Sequence, residues 1–454
     1  MSEPLSRRTK LLYGVGDTGF SLTSTIVGAY LAIFLTDVVG LSARVAAAAI
    51  FVGRSWDYVN DPLIGYISDR TRTRWGRRRP FLLFGFQPFA LAFAMLWWRP
   101  PFVDQIALGA YYALAYILYE AAATFVYMPY FALTPELTSD YDERTSLTSY
   151  RMFFSILASL IAFTLPLAFV GGFSPGNAPR VWAMGLIFGI GGALPLLLTF
   201  AGTRERQEYM EQKPPGIIES LRAAVKNRPF VFSVGLYLLT WVAVKLLEST
   251  LLYFVKYVVR REERSDLIMG VIFVVAIFAL PLWAWVSRHM NKRWAYVAGI
   301  AFWAVVQLVM ITLNPSTGLA LILFLCTLAG VGVAAAHVIP WSIIPDAIEW
   351  DELQTGERHE GMFYSLITLA QKVATSLALP LALLLLDLTG YVPNAAQQPA
   401  RAVLGIRLLA GPIPAALLCG GILFALLYPL DRERYAEVRR TLEARRAQDT
   451  ENVA

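Results

Sequence analysis

Apolar runs about 20 residues long, the length that crosses a bilayer as a helix, recur along the whole 454-residue chain. Only 16% of the residues are charged, whereas about 25% is usual in soluble domains. The sequence therefore predicts an all-α membrane protein with twelve transmembrane helices in two six-helix halves. The predicted spans lie near 11–38, 43–68, 80–98, 105–134, 146–171, 180–201, 230–258, 265–288, 294–313, 317–344, 361–389 and 403–429.

Basic residues are distributed unevenly between the predicted loops. With the N-terminus inside, the inside loops and tails carry about 26 Lys and Arg and the outside loops about 8. Only segment 260–264, which reads RREER, departs from this bias. Topology therefore explains the net charge of +6, and a nucleic-acid partner is rejected. We expect a multi-pass protein of the inner (plasma) membrane with both termini cytoplasmic.

The longest inside loop falls near the middle of the chain and separates two groups of spans. The predicted regions are an N-terminal half at 1–201, a cytoplasmic linker at 202–229, a C-terminal half at 230–430 and a cytoplasmic tail at 431–454. Apolar residues at helical spacing in the linker indicate an amphipathic helix, which lies on the membrane surface or simply joins the halves. Proline pairs near the inner ends of spans 4 (YMPYFALTPE) and 10 (VIPWSIIPD) indicate related halves.

Span 2 carries an unusual set of polar side chains. Spacings of three and four residues bring four of them to one helical face: Arg54, Asp57, Asn60 and Asp61. Ionisable groups inside a membrane are costly, and they mark ion or substrate sites by default. Two carboxylates and an amide oxygen suit Na⁺ or a proton, and Thr124 of span 4 could supply a further oxygen. The alternative is a structural carboxylate pair that Arg54 neutralises.

Charged side chains also fall inside later spans. Lys372 lies in the middle of span 11, where we expect it to couple transport as a movable countercharge for the acids; the alternative is snorkelling to the inner surface. Lys245 and Glu248 in span 7 are three residues apart and are expected to pair. Three further residues are candidate substrate contacts, each with a purely structural alternative: Arg151, Glu120 and His337.

The loop between spans 2 and 3, GYISDRTRTRWGRRRP, combines an acid at a helix end with a run of arginines. Such a loop can form charge bridges that close one face of a transporter in one conformation. The usual excess of basic residues in inside loops would explain the arginines, but it would not explain Asp69 and Gly76. We predict a gating loop, formed by Asp69, Arg70, Gly76 and Arg77.

This loop resembles the signature of the major facilitator superfamily. The segments WDYVNDPLIGY and PDAIEWDELQTGERHEGMFYS resemble more specifically the glycoside–pentoside–hexuronide:cation symporters, the melibiose-permease family. YGVGD, SYRMFF and LTGYVPN match as well, so the resemblance spans nearly the whole chain. It implies the major facilitator fold and a twelve-helix cation symporter.

The resemblance also implies roles for individual residues. In that family the acids and asparagine of helix II form a Na⁺ site with a threonine of helix IV. The matching positions here are Asp57, Asn60, Asp61 and Thr124, so Asp57 and Asp61 would bind Na⁺ if coupling uses sodium. Lys372 matches the coupling lysine of helix XI, and Arg151 matches the substrate-contacting arginine of helix V.

Two positions depart from the galactoside-binding members of the family. Where those members have acids on helices I and IV, this chain has Ser21 and Tyr127. Because carboxylates accept hydrogen bonds from sugar hydroxyls, their loss weakens the case for a galactoside, although both positions remain candidate substrate contacts. Span 4 (YEAAATFVYMPYFALT) and the terminal YPLDRER are similar to the related lysophosphatidylcholine symporters.

We therefore predict a symporter, coupled to Na⁺ or H⁺, that imports a sugar, glycoside or uronide by alternating access. Two alternatives stay open: a lysophospholipid or other amphiphile as substrate, and a non-transporting assembly factor on the same scaffold. An enzyme is not expected, because the sequence contains no nucleophile–base set, phosphate loop or metal cluster. The expected partners are a small-molecule substrate and the lipid bilayer, with no cofactor and a monomeric chain.

Overall fold

The computed structural model describes residues 5–138, 141–205, 227–355, 360–430, 434–438, 440–442 and 444, and these form helices joined by short connections. No strand of a sheet occurs in these ranges. The helices run Arg7–Gly14 (α1), Asp17–Ile33 (α2), Ala43–Ser55 (α3), Asp57–Arg70 (α4), Arg79–Leu96 (α5), Gln105–Leu137 (α6), Tyr141–Val170 (α7), Ala178–Gly202 (α8), Arg228–Tyr253 (α9), Ser265–His289 (α10), Lys292–Met310 (α11), Leu319–Thr355 (α12), Glu360–Leu388 (α13), Ala400–Ala410 (α14) and Pro412–Leu426 (α15).

Eleven helical stretches in the described part of the chain are long and apolar enough to cross a membrane. The twelfth predicted span corresponds to α3 and α4, which only Trp56 separates. Its hydropathy is low because Arg54, Asp57 and Asp61 lie at its centre. The all-α fold with membrane-spanning helices is therefore confirmed, and the span of low hydropathy is the one that carries the predicted cation site.

Span 1 is broken at residues 15–16, so that α2 begins at Asp17. Just beyond the break, α2 packs against α8. A Cβ atom added at Gly19 would lie 1.9 Å from the carbonyl oxygen of Gly192, so only glycine allows this backbone approach.

Replacing Gly19 with Ala is therefore expected to lower the thermal unfolding temperature of the purified protein by several degrees, because α2 and α8 must separate. The matched control is Gly191→Ala, since no atom lies within 4 Å of a Cβ placed at Gly191. Scanning fluorimetry in detergent measures both variants. Equal melting temperatures for the two would contradict the close approach.

The first helix of each predicted half ends in the same backbone form. Residues Phe34–Val39 (FLTDVV) and Phe254–Val259 (FVKYVV) are both π-helices. Each is followed by a residue in the left-handed region, Gly40 at φ 84° and Arg260 at φ 56°. This pair of segments is a second indication of internal repetition, independent of the proline pairs of spans 4 and 10.

The two π-helices meet at a buried acid. Asp37 is 0% exposed, and its Oδ2 accepts a hydrogen bond from Lys256 Nζ at 2.8 Å. The hydroxyls of Tyr257 and Tyr391 also donate to its carboxylate, and Asn394 donates to its backbone oxygen. Burial raises the pKa of the Tyr391 phenol well above its usual value, so this group remains a donor. We call these five residues the Asp37 cluster.

By packing, the chain divides into two compact units. Unit 1 comprises Met1–Gln212, Leu251–Gly270 and Leu379–Gly405. Unit 2 comprises Lys213–Thr250, Val271–Ala378 and Ile406–Ala454. The Asp37 cluster explains why two later segments belong with the N-terminal helices. The division at 1–201 and 230–430 stays a prediction, and most of the predicted linker and tail lies outside the described residues.

Candidate functional site

The predicted cation site lies in unit 1, where α4 packs against α6. The hydroxyl of Thr124 donates to Asp61 Oδ1 at 3.1 Å and reaches Asp57 Oδ1 at 3.5 Å. Thr124 is buried, and the two aspartates are half-buried. The carboxylates therefore face the neighbouring helix α6. This agrees with the spacing of WDYVND, which predicts that both acids lie on one face of their helix.

Asn60 and Arg54 connect this pair to a third acid. The side-chain amide of Asn60 donates to the backbone oxygen of Glu120 at 3.4 Å. The guanidinium of Arg54 lies 4.0 Å from Glu120 Oε1 and 5.6 Å from the ring centre of Tyr116. Glu120, predicted as a substrate contact, thus lies beside the cation site and provides a carboxylate for Arg54. Its role in substrate binding stays a prediction.

Three acids and one arginine gather at this site. Asp57 and Asp61 share the hydroxyl of Thr124, and the carboxylate of Glu120 lies beside the guanidinium of Arg54. Carboxylates that lie close together repel each other when they are ionised, and a bound cation would offset that repulsion. Carboxylate, hydroxyl and amide oxygens are hard donors, and hard cations prefer them.

The predicted substrate contacts of the first half gather between α2, α6 and α7. Arg151 lies 5.1 Å over the ring of Phe131, and one turn further along α7 the hydroxyl of Ser155 hydrogen-bonds that of Ser21. Tyr127 is buried, and its ring centre lies 5.1 Å from that of Phe20. The Nε–H of Arg151 and the hydroxyl of Tyr127 have no hydrogen-bond partner in the described residues.

Sequence reasoning missed one acid in this region. Asp17 is 3% exposed, and its Oδ1 has no hydrogen-bond partner among the described atoms. The carboxylate of Asp17 interacts electrostatically with the guanidinium of Arg151 and with the phenol of Tyr127. The signal was present, since YGVGD places an acid within the first span, but the motif served only as evidence of resemblance.

The remaining predicted residues lie in unit 2. His337 is half-buried on α12; its Nδ1 lies 2.9 Å from the carbonyl oxygen of Val333, and its ring contacts Trp241 at 5.2 Å between centres. Lys372 is half-buried on α13. The expected pair forms, with Lys245 Nζ 2.6 Å from Glu248 Oε2. Because Lys372 belongs to the other unit, its predicted role toward the acids of span 2 stays a prediction.

The predicted gating loop binds an acid that the sequence analysis did not single out. Gly76 has φ 107°, and the backbone N–H groups of Arg77, Arg78 and Arg79 donate to the carboxylate of Glu205 at 2.6–2.8 Å. Successive N–H groups pointing at one anion form a nest. A Cβ at position 76 would lie 2.5 Å from the Glu205 carboxyl carbon, which explains the glycine.

Two other residues of this loop have different surroundings. The guanidinium of Arg70 stacks 3.5 Å over the ring of Tyr66. The side chain of Asp69 lies outside the described residues, so its predicted charge bridge is not tested. The loop therefore has an acidic partner, but that partner is Glu205 at the end of span 6.

Comparison with known proteins covers nearly the whole chain. The sequence profile of the family described as MFS/sugar transport protein matches residues 12–432. The uncharacterized symporter sll1374 of Synechocystis is 34% identical, and the match covers 98% of each chain. A sodium-dependent lysophosphatidylcholine symporter 1-A of Danio rerio is 30% identical over 94% of this chain and 86% of its own.

Solved structures share the fold at much lower identity. A D-xylose–proton symporter superposes with a TM-score of 0.66 at 16% identity, over 93% of this chain and 97% of its own. A bacterial homologue of the lysosomal transporter Spinster gives 0.65 at 14% identity, over 96% of both chains.

Proposed function

The chain belongs to the MFS/sugar transport protein family, and on that premise we propose that it is a cation-coupled symporter. The observation that carries this proposal is the pair of half-buried carboxylates, Asp57 and Asp61, joined by the hydroxyl of Thr124. Ionisable residues inside a membrane span mark an ion or substrate site by default, and carboxylate and hydroxyl oxygens suit a hard cation. Several relatives named as symporters, sodium-dependent ones among them, support the same function.

In the proposed cycle, the cation binds first at the site of span 2. It offsets the mutual repulsion of the carboxylates and so stabilises a conformation that accepts substrate. Cation and substrate then cross together by alternating access, and Lys372 acts as the countercharge for the emptied site. We place both termini on the cytoplasmic side of the inner membrane, which the excess of Lys and Arg in the inside loops supports.

The substrate is proposed to carry an anionic group. The Nε–H of Arg151 lies beside the aromatic ring of Phe131 and has no hydrogen-bond partner among the described residues. Guanidinium groups bind carboxylates and phosphates with high directionality. A uronide and a lysophospholipid both meet this requirement. The description of the matched family favours the first, and the names of several relatives favour the second.

Gradient-driven uptake tests the function directly. The full chain is reconstituted in proteoliposomes, and uptake of labelled glucosides, glucuronides and lysophosphatidylcholine is measured with an inward Na⁺ gradient, an inward H⁺ gradient or neither. The proposal expects uptake of at least one probe that requires one of the gradients. Uptake of every probe at the rate of empty liposomes would overturn it, as would uptake that is indifferent to both gradients.

Replacing Arg151 with Gln is expected to weaken binding of anionic probes about tenfold or more, because a charge-assisted hydrogen bond is lost. Thermal stabilisation by a glucuronide or by lysophosphatidylcholine measures the affinity of the purified protein for each probe. Arg99→Gln is the control, since Arg99 is exposed near a span end. If both variants retain wild-type affinity for the anionic probes, Arg151 does not bind the anionic group.

A further inference from the structure

We propose that Asp17 binds a proton together with an anionic substrate, and that this proton crosses the membrane in addition to the coupling cation of span 2. The inference rests on the proposed function, because it takes Arg151 as the group that binds the anionic part of the substrate. Asp17 has no other part in the proposed cycle.

The register between α2 and α7 places Asp17 opposite Arg151. The two helices pack against each other. Two pairs of hydroxyl side chains connect them, and the members of each pair are 134 positions apart: Ser21 with Ser155, and Thr25 with Ser159. Asp17 and Arg151 are separated by the same 134 positions, and each lies one helical turn before the first of these pairs. Because side chains one turn apart share a face of a helix, the acid and the arginine lie at the same level between the two helices.

A buried acceptor and a buried donor at this level have no partner. Asp17 is 3% exposed, and its Oδ1 accepts no hydrogen bond from the described part of the chain. The Nε–H of Arg151 is buried and likewise has no acceptor there. Buried polar groups are normally satisfied, so the two atoms indicate places for ligands. An anionic oxygen can accept the hydrogen bond of the guanidinium, and a proton can bind the carboxylate oxygen.

Among the described residues of the neighbouring helices, Arg151 is the charged group that faces Asp17. The guanidinium of Arg151 and the carboxylate of Asp17 interact electrostatically. The other titratable groups that interact with this carboxylate are phenols, which are neutral at physiological pH: Tyr13 of α1, and Tyr127 and Tyr130 of α6. Lys10 of α1 pairs with Glu143 of α7 at 3.0 Å. The charged residue of α8, Arg180, lies at the end of that helix remote from Asp17.

An anionic substrate changes the charge around Asp17. Once the anionic group binds Arg151, an ionised carboxylate at Asp17 lies near a like charge in a buried place. Like charges that lie close together favour the neutral form of an acid, so binding of the anion favours protonation of Asp17. By thermodynamic reciprocity, protonation of Asp17 strengthens binding of the anion by the same factor.

The proton follows the substrate through the cycle. It comes from the water on the side where the site is open, and it binds Oδ1 of Asp17 when the anionic group binds Arg151. When the substrate leaves on the other side, the guanidinium again faces Asp17 alone, and the carboxylate releases its proton to the water there. One proton is therefore carried with each anionic substrate.

Binding to the purified full chain at different pH values tests the inference. The dissociation constants of a p-nitrophenyl glucuronide and of lysophosphatidylcholine are measured at a fixed, saturating Na⁺ concentration. In the wild type, affinity is expected to fall by up to about tenfold for each pH unit as pH rises through the range in which Asp17 titrates. A neutral p-nitrophenyl glucoside should not show this dependence on Asp17, because it places no charge beside the carboxylate.

Asp17→Asn resembles the protonated acid, so it is expected to bind the anionic probes with the same affinity at every pH. Asp17→Ser is a second neutral variant with the same expected profile. The matched control, Asp387→Asn, removes an acid that pairs with the exposed Arg44, and it should keep the wild-type slope. Protons bound at span 2 affect wild type and variants equally, so the difference between their slopes reports Asp17. Monodisperse elution shows that each variant is folded.

Two results would overturn the inference: wild-type affinities for the anionic probes that do not change with pH, or neutral variants of Asp17 that keep the wild-type slope. The first result needs no variant. Failure of the symporter function looks different, because pH-dependent binding would then persist and depend on Asp17 while no gradient drives uptake in proteoliposomes.

Discussion

Asp61→Asn is expected to abolish gradient-driven uptake, by about 100-fold or more, while the protein remains folded. Asparagine has the same shape as aspartate, so the packing of α4 on α6 and the contact with Thr124 can persist. The charge that attracts the cation is lost, and an interaction with a charged group is worth roughly tenfold to a hundredfold in binding.

Two measurements check this prediction. Gradient-driven uptake into proteoliposomes gives the transport rate, and thermal stabilisation by Na⁺ or by lowered pH identifies the coupling ion in the wild type. The matched control is Asp387→Asn, since Asp387 pairs with the exposed Arg44 at the protein surface. An Asp61→Asn variant that still couples uptake to a gradient would remove the basis for the cation site.

Lys256→Met is expected to destabilise the protein by about 3–5 kcal/mol. The substitution leaves the buried carboxylate of Asp37 without the ammonium group that pairs with it. Asp37 is 0% exposed and Lys256 lies 2.8 Å from it. The double variant Asp37→Asn with Lys256→Met should recover most of this loss, since neither charge remains.

The unfolding temperatures of the wild type, the two single variants and the double variant form a thermodynamic cycle. Arg44→Gln is the comparison for an exposed ion pair, which is worth about 0–1 kcal/mol. If the losses of the two single variants simply add in the double variant, then Asp37 and Lys256 are not coupled.

Sequence reasoning succeeded where local physics decides the structure. The length of apolar runs sets the number of spans, because a helix must cover the hydrocarbon core. Likewise, the spacing of Asp57, Asn60 and Asp61 fixes their common direction on a helix before any neighbour is known. Both features depend on residues close together in the chain.

Contacts between distant residues were beyond the same reasoning. Lys256 and Asp37 are 219 residues apart, and Arg77 and Glu205 are 128 apart, so no local pattern pairs them. In a chain with 39 basic and 33 acidic residues, charge alone allows many pairings, and only packing selects one. Asp17 was missed for a different reason, since the YGVGD segment that contains it served only as evidence of resemblance.

The internal repeat formed by the two π-helices is also visible in the sequence. Phe34, Val38 and Val39 of FLTDVVG match Phe254, Val258 and Val259 of FVKYVVR. Three identities in seven residues are weak evidence on their own. They gain weight because both segments take the rare π-helical form and both end in a left-handed residue.

The meeting of these two segments has a consequence for how such a molecule can be built from two similar parts. When equivalent turns of two copies contact each other, identical sequences would bring identical charges face to face, and like charges in a dry environment repel strongly. Here one copy carries an aspartate, while the other carries a lysine and a tyrosine on the matching turn. The two similar segments can therefore pack together because they carry different side chains, an acid on one and a base on the other, where their backbones match.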